Sequence, residues 1–415
     1  MPVRPASGQL EAWVPSGLLQ LQPEWSLPRV TREGLVPVRL SWRDGHLLEL
    51  IPVDSAPSEL ALPRLVDPHV HLDKALSWRD YPNLSGTYAG AMAANLQEHG
   101  SRTQDMVLER GEWALQQAFQ QGYRALRSHI DSGGPASAPS WDALIELRER
   151  WLGRITLQLV ALVPLAFWSS PEAEQLASRV AKVGGLLGGV LAPPCGGAET
   201  RRLLKTMLRL ADRLGCPIDL HIDEADHAPG QGVRQLLDVL ERNPVAVPIT
   251  CSHASSLSLM GRSALRRLGE RMAAARLQVI ALPLTNGWLL GRETDATPVQ
   301  RLLAPIRQLQ RCGVQVAVGG DNVGDPWFPG GSFDPLQLLA SSLPITQLLP
   351  WQRLGLSPHT TAAASLLQLN WDGTLTAGAP ADLILASATT WSELLRCPPK
   401  RRILVNGSWI SPCCD

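Results

Sequence analysis

The stretch "LVDPHVHLDK", Leu65 to Lys74, alternates apolar side chains with Asp67, His69, His71 and Asp73. Period-two spacing puts both imidazoles on one side of a strand. Two neutral imidazoles in a confined space are costly unless something shares their lone pairs, and a divalent metal does so. A buried histidine can also be a hydrogen-bonded core residue, and the pair alone leaves that alternative open. The pattern recurs, however. "RSHID" carries His129 and Asp131, "DLHIDEAD" carries His221, Asp223 and Glu224, "TCSH" carries His253, and "VGGDN" carries Asp321 and Asn322. These stretches and the first hold most of the nine histidines of the chain.

Each stretch ends an apolar, β-like run. Strands are expected at 65–73, 124–131, 155–163, 186–191, 218–223, 247–253, 278–283 and 314–319. Between them lie amphipathic patterns such as "MVLERGEWALQQAFQQG", "ETRRLLKTMLRLADRLG" and "VRQLLDVLERNP". Eight strands, each followed by a helix, predict an α/β fold of the TIM-like (β/α)8 barrel type. A doubly wound open sheet is the alternative, but no GxGxxG follows the first strand, so a dinucleotide site has no support. Both chain ends are β-rich. "PVRLSW" and "HLLELIPV" flank Asp44-Gly45, and "RRILVNGSWI" turns at Asn406-Gly407, both hairpin signals. A small β-sandwich domain is therefore expected from residues 1–62 and 374–415, with the barrel over 63–373.

Side chains that do chemistry in such barrels sit at the C-terminal strand ends. There, His69, His71, His221 and Asp321 can form a three-histidine, one-aspartate site with a position open for water. A metal in it lowers the pKa of water from ~15.7 towards ~7. A proton must still travel from that water to a leaving nitrogen, and Glu224 is the carrier the spacing offers. The other reading of Glu224 is a surface carboxylate opening a helix, where the dipole favours acids. His253 can orient the attacking oxygen, and Asp321 can both bind metal and accept the water's proton. His129 reads as structural, and Asp223 as a hydrogen-bond partner of a ligand histidine or of the backbone. Lys74 is open between a structural ion pair and a substrate contact.

Composition narrows the class. The 415 residues suit a large barrel plus an appendage, and 45% hydrophobic residues permit a large core. A formal net charge of +0 gives no nucleic-acid footprint. The seven cysteines include no CxxC, which fits a reducing compartment. No signal-peptide core and no membrane-length apolar run are present, so a soluble cytoplasmic protein is expected.

The ordered motifs resemble the amidohydrolase superfamily, and within it the bacterial-type cytosine deaminases and their relatives. The resemblance runs from about Leu65 to the C-terminus through the motifs above, "LPLTNGWLLGR", "VAVGGDNVGDPWFPGG" and "GTLTAGAPADLIL". It implies one divalent metal per subunit, Fe2+ or Zn2+, on His69, His71, His221 and Asp321. It places the proton-shuttling glutamate at Glu224, the histidine beside the reacting water at His253, and the tryptophan packing on the substrate ring at Trp327. Strand 4 reads "LLGGVL", without the lysine of two-metal members, so a single-metal site is expected. Three positions depart from the cytosine deaminases. Leu165 stands where they have an edge-reading glutamine, Asn322 where they have a second acid, and Lys74 where many have a small hydroxyl residue. Arg64 replaces the usual linker glycine before strand 1.

The expected function is metal-dependent hydrolysis of non-peptide C–N bonds, most simply deamination of a pyrimidine or related cyclic amidine. The alternatives are removal of a substituted amine from a triazine-like ring and, from another class, a non-catalytic metal-binding homologue. The expected partner is a small heterocycle, with no nucleic acid and no membrane; the resemblance also implies a homo-oligomer.

Overall fold

The computed structural model describes residues 7–22, 30–396 and 399–410. The outermost residues of both expected β-rich ends thus lie outside the described residues.

Turn chemistry and alternation build the first sheet. Strands β1 (Ser7–Pro15), β2 (Leu35–Arg43), β3 (His46–Pro52) and β4 (Leu60–Pro63) precede the barrel, and β13 (Leu383–Ala386), β14 (Arg401–Val405) and β15 (Ser408–Trp409) follow it. They form one seven-stranded sheet, ordered β15-β14-β13-β4-β1-β2-β3. Asp44-Gly45 joins β2 to β3 with φ of 52° and 79°, and Asn406-Gly407 joins β14 to β15 with φ of 47° and 74°. Both pairs have the left-handed backbone that a two-residue hairpin needs. Val38, Leu40, Leu50, Leu383, Leu385 and Leu404 lie in one aliphatic core.

The second sheet takes β5 (Leu65–Val70), β6 (Tyr123–Asp131), β7 (Thr156–Leu162), β8 (Leu186–Leu191), β9 (Ile218–Ile222), β10 (Ile249–His253), β11 (Gln278–Ala281) and β12 (Gln315–Val318) in chain order. Its registered pairs are parallel. A parallel bridge between Val70 and Asp321, with Asp321 N–H donating to His69 C=O at 2.8 Å, brings the last strand back to the first. This is the TIM-like barrel the periodicity predicts. The first glycine of "LLGGVL" has a packing reason. A Cβ on Gly188 would stand 2.5 Å from Ala161 C=O and 3.1 Å from Asp219 C=O, so only glycine lets three strands close up there.

Among the elements missing from the sequence-based expectation, one bears on the site. Helix α1 (Tyr88–Ser101) lies between β5 and the amphipathic α2 (Gln104–Gln121). Thr87 caps it, its hydroxyl accepting from Gly90 N–H at 3.1 Å. Its buried stripe is Ala91, Ala94, Asn95 and Glu98, small or polar throughout, so hydrophobic periodicity does not announce it.

By internal contacts the chain divides into two compact units. One comprises Met1–Asp67, Gln116–Ala125 and Phe333–Asp415, the other Pro68–Leu115 and Leu126–Ser332. In the first, Arg64 is buried, its guanidinium donating to Tyr123 C=O and lying 3.5 Å from Asp382. No helix among the described residues is long and apolar enough to cross a membrane.

Candidate metal centre and substrate cavity

Everything that follows lies in the second unit. Alternation on β5 directs His69 and His71 to one side, β9 supplies His221, β10 ends at His253, and Asp321 follows β12. His71 Nε2 is 3.3 Å and His69 Nε2 3.6 Å from Asp321 Oδ1. Ligand atoms of His69, His71 and His221 lie within 4.8 Å of one another, as do those of His69, His253 and Asp321. Donors about 2.1 Å from a tetrahedral ion stand about 3.4 Å apart, so this spacing fits one divalent ion.

The polar accounting fits too. His71 Nδ1, His221 Nδ1 and both Asp321 carboxylate oxygens are buried without a hydrogen-bond partner among the described residues. So many orphaned groups in one place are costly unless a cation is among them. Burial, then the neighbouring imidazoles, push His69 and His221 well below the ordinary histidine value, which keeps them neutral as ligands must be. Burial alone would raise Asp321; the side chains of His71 and His253 beside it bring it below the usual carboxylate range. Backbone strain gathers here as well, with Asp223, His253 and Asp321 at φ of 53°, 69° and 64°.

Glu224 is buried beside this cluster. Its Oε1 is 3.3 Å from His253 Nδ1, and its Oε2 accepts from the Tyr88 hydroxyl at 3.5 Å. Burial first, then the nearby Asp321, hold its carboxyl well above the ordinary value, which favours the protonated form. Asn286 Nδ2 donates to His253 Nδ1 at 3.0 Å and reaches Glu224 Oε1 at 3.5 Å. His253 Nδ1 is thus an acceptor, and the proton of the neutral ring sits on Nε2. Burial lowers His253 to about 4.

Above the cluster opens a cavity of about 560 Å³, reached by His71, His221, Glu224, His253 and Asp321. Tyr88 and Trp327 meet edge to face at 5.0 Å on its wall. Met92, Leu96, Pro135 and Leu162 to Pro164 give it an apolar lining. Leu165 is buried but is not among the lining residues; Pro164 is. Lys74 pairs with Asp131 at 2.8 Å and also lines the cavity. Behind that pair runs a buried ionic network. Arg102 reaches Asp73 at 2.6 Å and Asp131 at 3.2 Å, and Glu98 of α1 accepts from Arg102 and from Arg110. This network ties α1, and with it Tyr88, to the ends of β5 and β6.

Asn322 also lines the cavity, but both ends of its amide are engaged. Its nitrogen donates to Asp325 at 2.8 Å and its oxygen accepts from Thr285 at 3.3 Å. Asp325 in turn accepts from Trp327 N–H at 2.9 Å and so sets the turn that presents the tryptophan. Asp223 takes the backbone alternative, accepting from Gly232 and Val233 N–H at 2.8 and 2.9 Å. His129 stacks on His69 at 3.8 Å, consistent with a structural part.

Sequence reasoning passed over Tyr88 and Asn286, together with Ser252 and Asp219. Two signals were available. Asp219 stands two residues before His221 on the same face of β9, and Ser252 immediately precedes His253.

Comparison with known proteins agrees with this geometry. The Amidohydrolase family model matches residues 172–411. The chain is 31% identical over 384 residues to a pterin deaminase of Rhizobium rhizogenes, covering 90% of this chain and 87% of the relative. It is 23% identical over 348 residues to an N-isopropylammelide isopropyl amidohydrolase of a Pseudomonas species, covering 80% and 81%. In fold it is similar to a 5-methylcytosine deaminase from Klebsiella pneumoniae, with TM-score 0.81, 24% identity, and 97% and 98% of the two chains covered. A family match over more than half of the chain, and a relative near a third identical over most of it, establish that the protein belongs to the amidohydrolase family of metal-dependent hydrolases.

Proposed function

We propose that this protein hydrolytically deaminates a bicyclic aminopyrimidine ring of the pterin kind, with one divalent ion on His69, His71, His221 and Asp321. The observation that carries the reading is a buried carboxyl, Glu224, set beside that donor cluster at the floor of the cavity. Imidazole and carboxylate donors suit Fe2+ and Zn2+ alike. When bound, the ion supplies Lewis acidity and a water acidic enough to attack near neutral pH.

The chain's own groups do the rest. Glu224 gives its proton to a ring nitrogen as the amidine carbon is attacked, regains one from the attacking water, and delivers it to the departing amine. His253, with its proton on Nε2, donates towards the oxyanion as it develops. Tyr88 and Trp327 wall the flat ring. Lys74, held by Asp131, offers an N–H to a ring carbonyl.

A cavity of about 560 Å³, with room for a drug-sized ligand, favours a bicyclic ring over a single pyrimidine.

Amine release from pterin, guanine, cytosine, 5-methylcytosine and N-isopropylammelide, assayed on metal-replete protein, tests the reading. Pterin is expected to turn over with the highest kcat/KM. Isopropylamine release alone would transfer the proposal to the triazine alternative. Stoichiometric metal with no amine from any compound would mark a binding homologue.

A further inference from the structure

We infer that a buried relay, Arg127–Asp219–Ser252, fixes the tautomer of His69 and thereby makes its Nε2 a metal donor. Asp219 and Ser252 are then positioning residues for the proposed metal, on whose assignment this inference rests. His69 Nδ1 lies 3.0 Å from Ser252 Oγ. Ser252 Oγ donates to Asp219 Oδ1 at 2.7 Å, and Arg127 Nη1 donates to Asp219 Oδ2 at 2.8 Å. All four residues are buried.

The direction of the relay follows from counting protons. A guanidinium only donates, so Arg127 holds Asp219 as an acceptor. A serine has one proton, and here it goes to Asp219. The oxygen of Ser252 must therefore accept from His69, which places the ring proton on Nδ1. Nε2 is left with its lone pair, on the side where Asp321 Oδ1 stands 3.6 Å away. An outer partner that fixes the tautomer and ring plane of a ligand histidine typically accounts for about 10–100-fold in metal affinity. His129 steadies the same ring by stacking on it at 3.8 Å and 24°.

His69, His129 and Asp219 also bring potential ligand atoms within 4.8 Å. They do not make a second ion site. Asp219 Oδ2 is already occupied by the Arg127 guanidinium, and a further cation there would meet that charge at close range.

The relay makes Asp219→Asn a sharp test. Arg127 needs an acceptor, so the introduced amide turns its oxygen to Arg127 and its NH2 to Ser252. Ser252 must then donate to His69 Nδ1, and the proton moves to Nε2, where metal should bind. The metal-free protein is titrated with Zn2+ against a competing chelator. Asp219→Asn is expected to bind at least about tenfold more weakly and Ser252→Ala also more weakly, while Ser252→Thr, which keeps the hydroxyl, stays near wild type. Thermal melting of the metal-free forms checks the fold. Affinities of Asp219→Asn and Ser252→Ala within about twofold of wild type, on proteins that melt normally, overturn the relay. A second arm needs no variant: 15N shifts of the His69 imidazole in metal-free wild type should show a protonated Nδ1. A protonated Nε2 there also overturns the inference. If wild type binds no Zn2+, the metal assignment fails, and the nitrogen shifts still decide the tautomer.

Discussion

The two compact units are built on opposite terms. The sheet of the first unit closes over aliphatic side chains, from Val14 and Leu40 to Leu385 and Leu404, and its tight turns fall at Asp44-Gly45 and Asn406-Gly407. Local preference and packing agree there. The centre of the second unit gathers imidazoles and carboxylates, several without a partner, on strand ends whose non-glycine backbone is left-handed. Local preference and packing conflict there, and the conflict sits where the chemistry is proposed. The contrast teaches that stability and reactivity are carried by different residues, so they can be perturbed separately.

Glu224→Gln should separate them most. It keeps the shape and removes the transferable proton, so kcat should fall by about 10²–10⁴-fold. Metal content and melting temperature should stay close to wild type. Steady-state kinetics beside metal analysis check this, and retention of most of the activity would remove Glu224 from the proton path.

The converse comes from Leu40, fully buried in β2. Leu40→Ala should cost about 2–5 kcal/mol, read in denaturant or thermal unfolding, because a cavity is left in a close-packed core. Activity per folded molecule should not change. A fall in kcat matching that of Glu224→Gln would show that the separation is false.

A smaller effect concerns acid. His359, in the first unit, is buried, and burial lowers its pKa to about 4 from the ordinary 6.5. Above about pH 6.5 the ring is neutral whether the chain is folded or not, and its contribution to stability is fully present. Between 6.5 and about 4 the unfolded chain takes up the proton first, so stability falls with pH, in total by up to about 3 kcal/mol. Replacement by a non-titrating side chain, His359→Gln, should flatten this part of the stability profile. An unchanged slope would assign the acid sensitivity to other groups.

Legibility in the sequence follows the same division. The barrel strands were readable because parallel strands buried on both faces appear as apolar runs, and all eight are found within a few residues of the expected positions. His69, His71, His221, His253 and Asp321 were readable because each ends such a run, and a barrel gathers its strand ends. Helix α1 was not, since its inward stripe includes Asn95 and Glu98, which are buried only because the helix faces Arg102, Arg110 and Asp131. Leu165, named from its place in the order of motifs, lies one residue beyond the cavity wall, which Pro164 lines.

By itself, then, the sequence determined the fold class and the donor types, through periodicity and the alternation of a strand. Those are short-range properties, set by backbone geometry over a few residues. Only the tertiary structure decided that Ser252 and Asp219 stand behind His69, that Tyr88 meets Glu224, and that Lys74 is at once paired and at the cavity wall. These are contacts between residues dozens to nearly two hundred positions apart. They depend on which strands become neighbours when the barrel closes, and no local pattern encodes that.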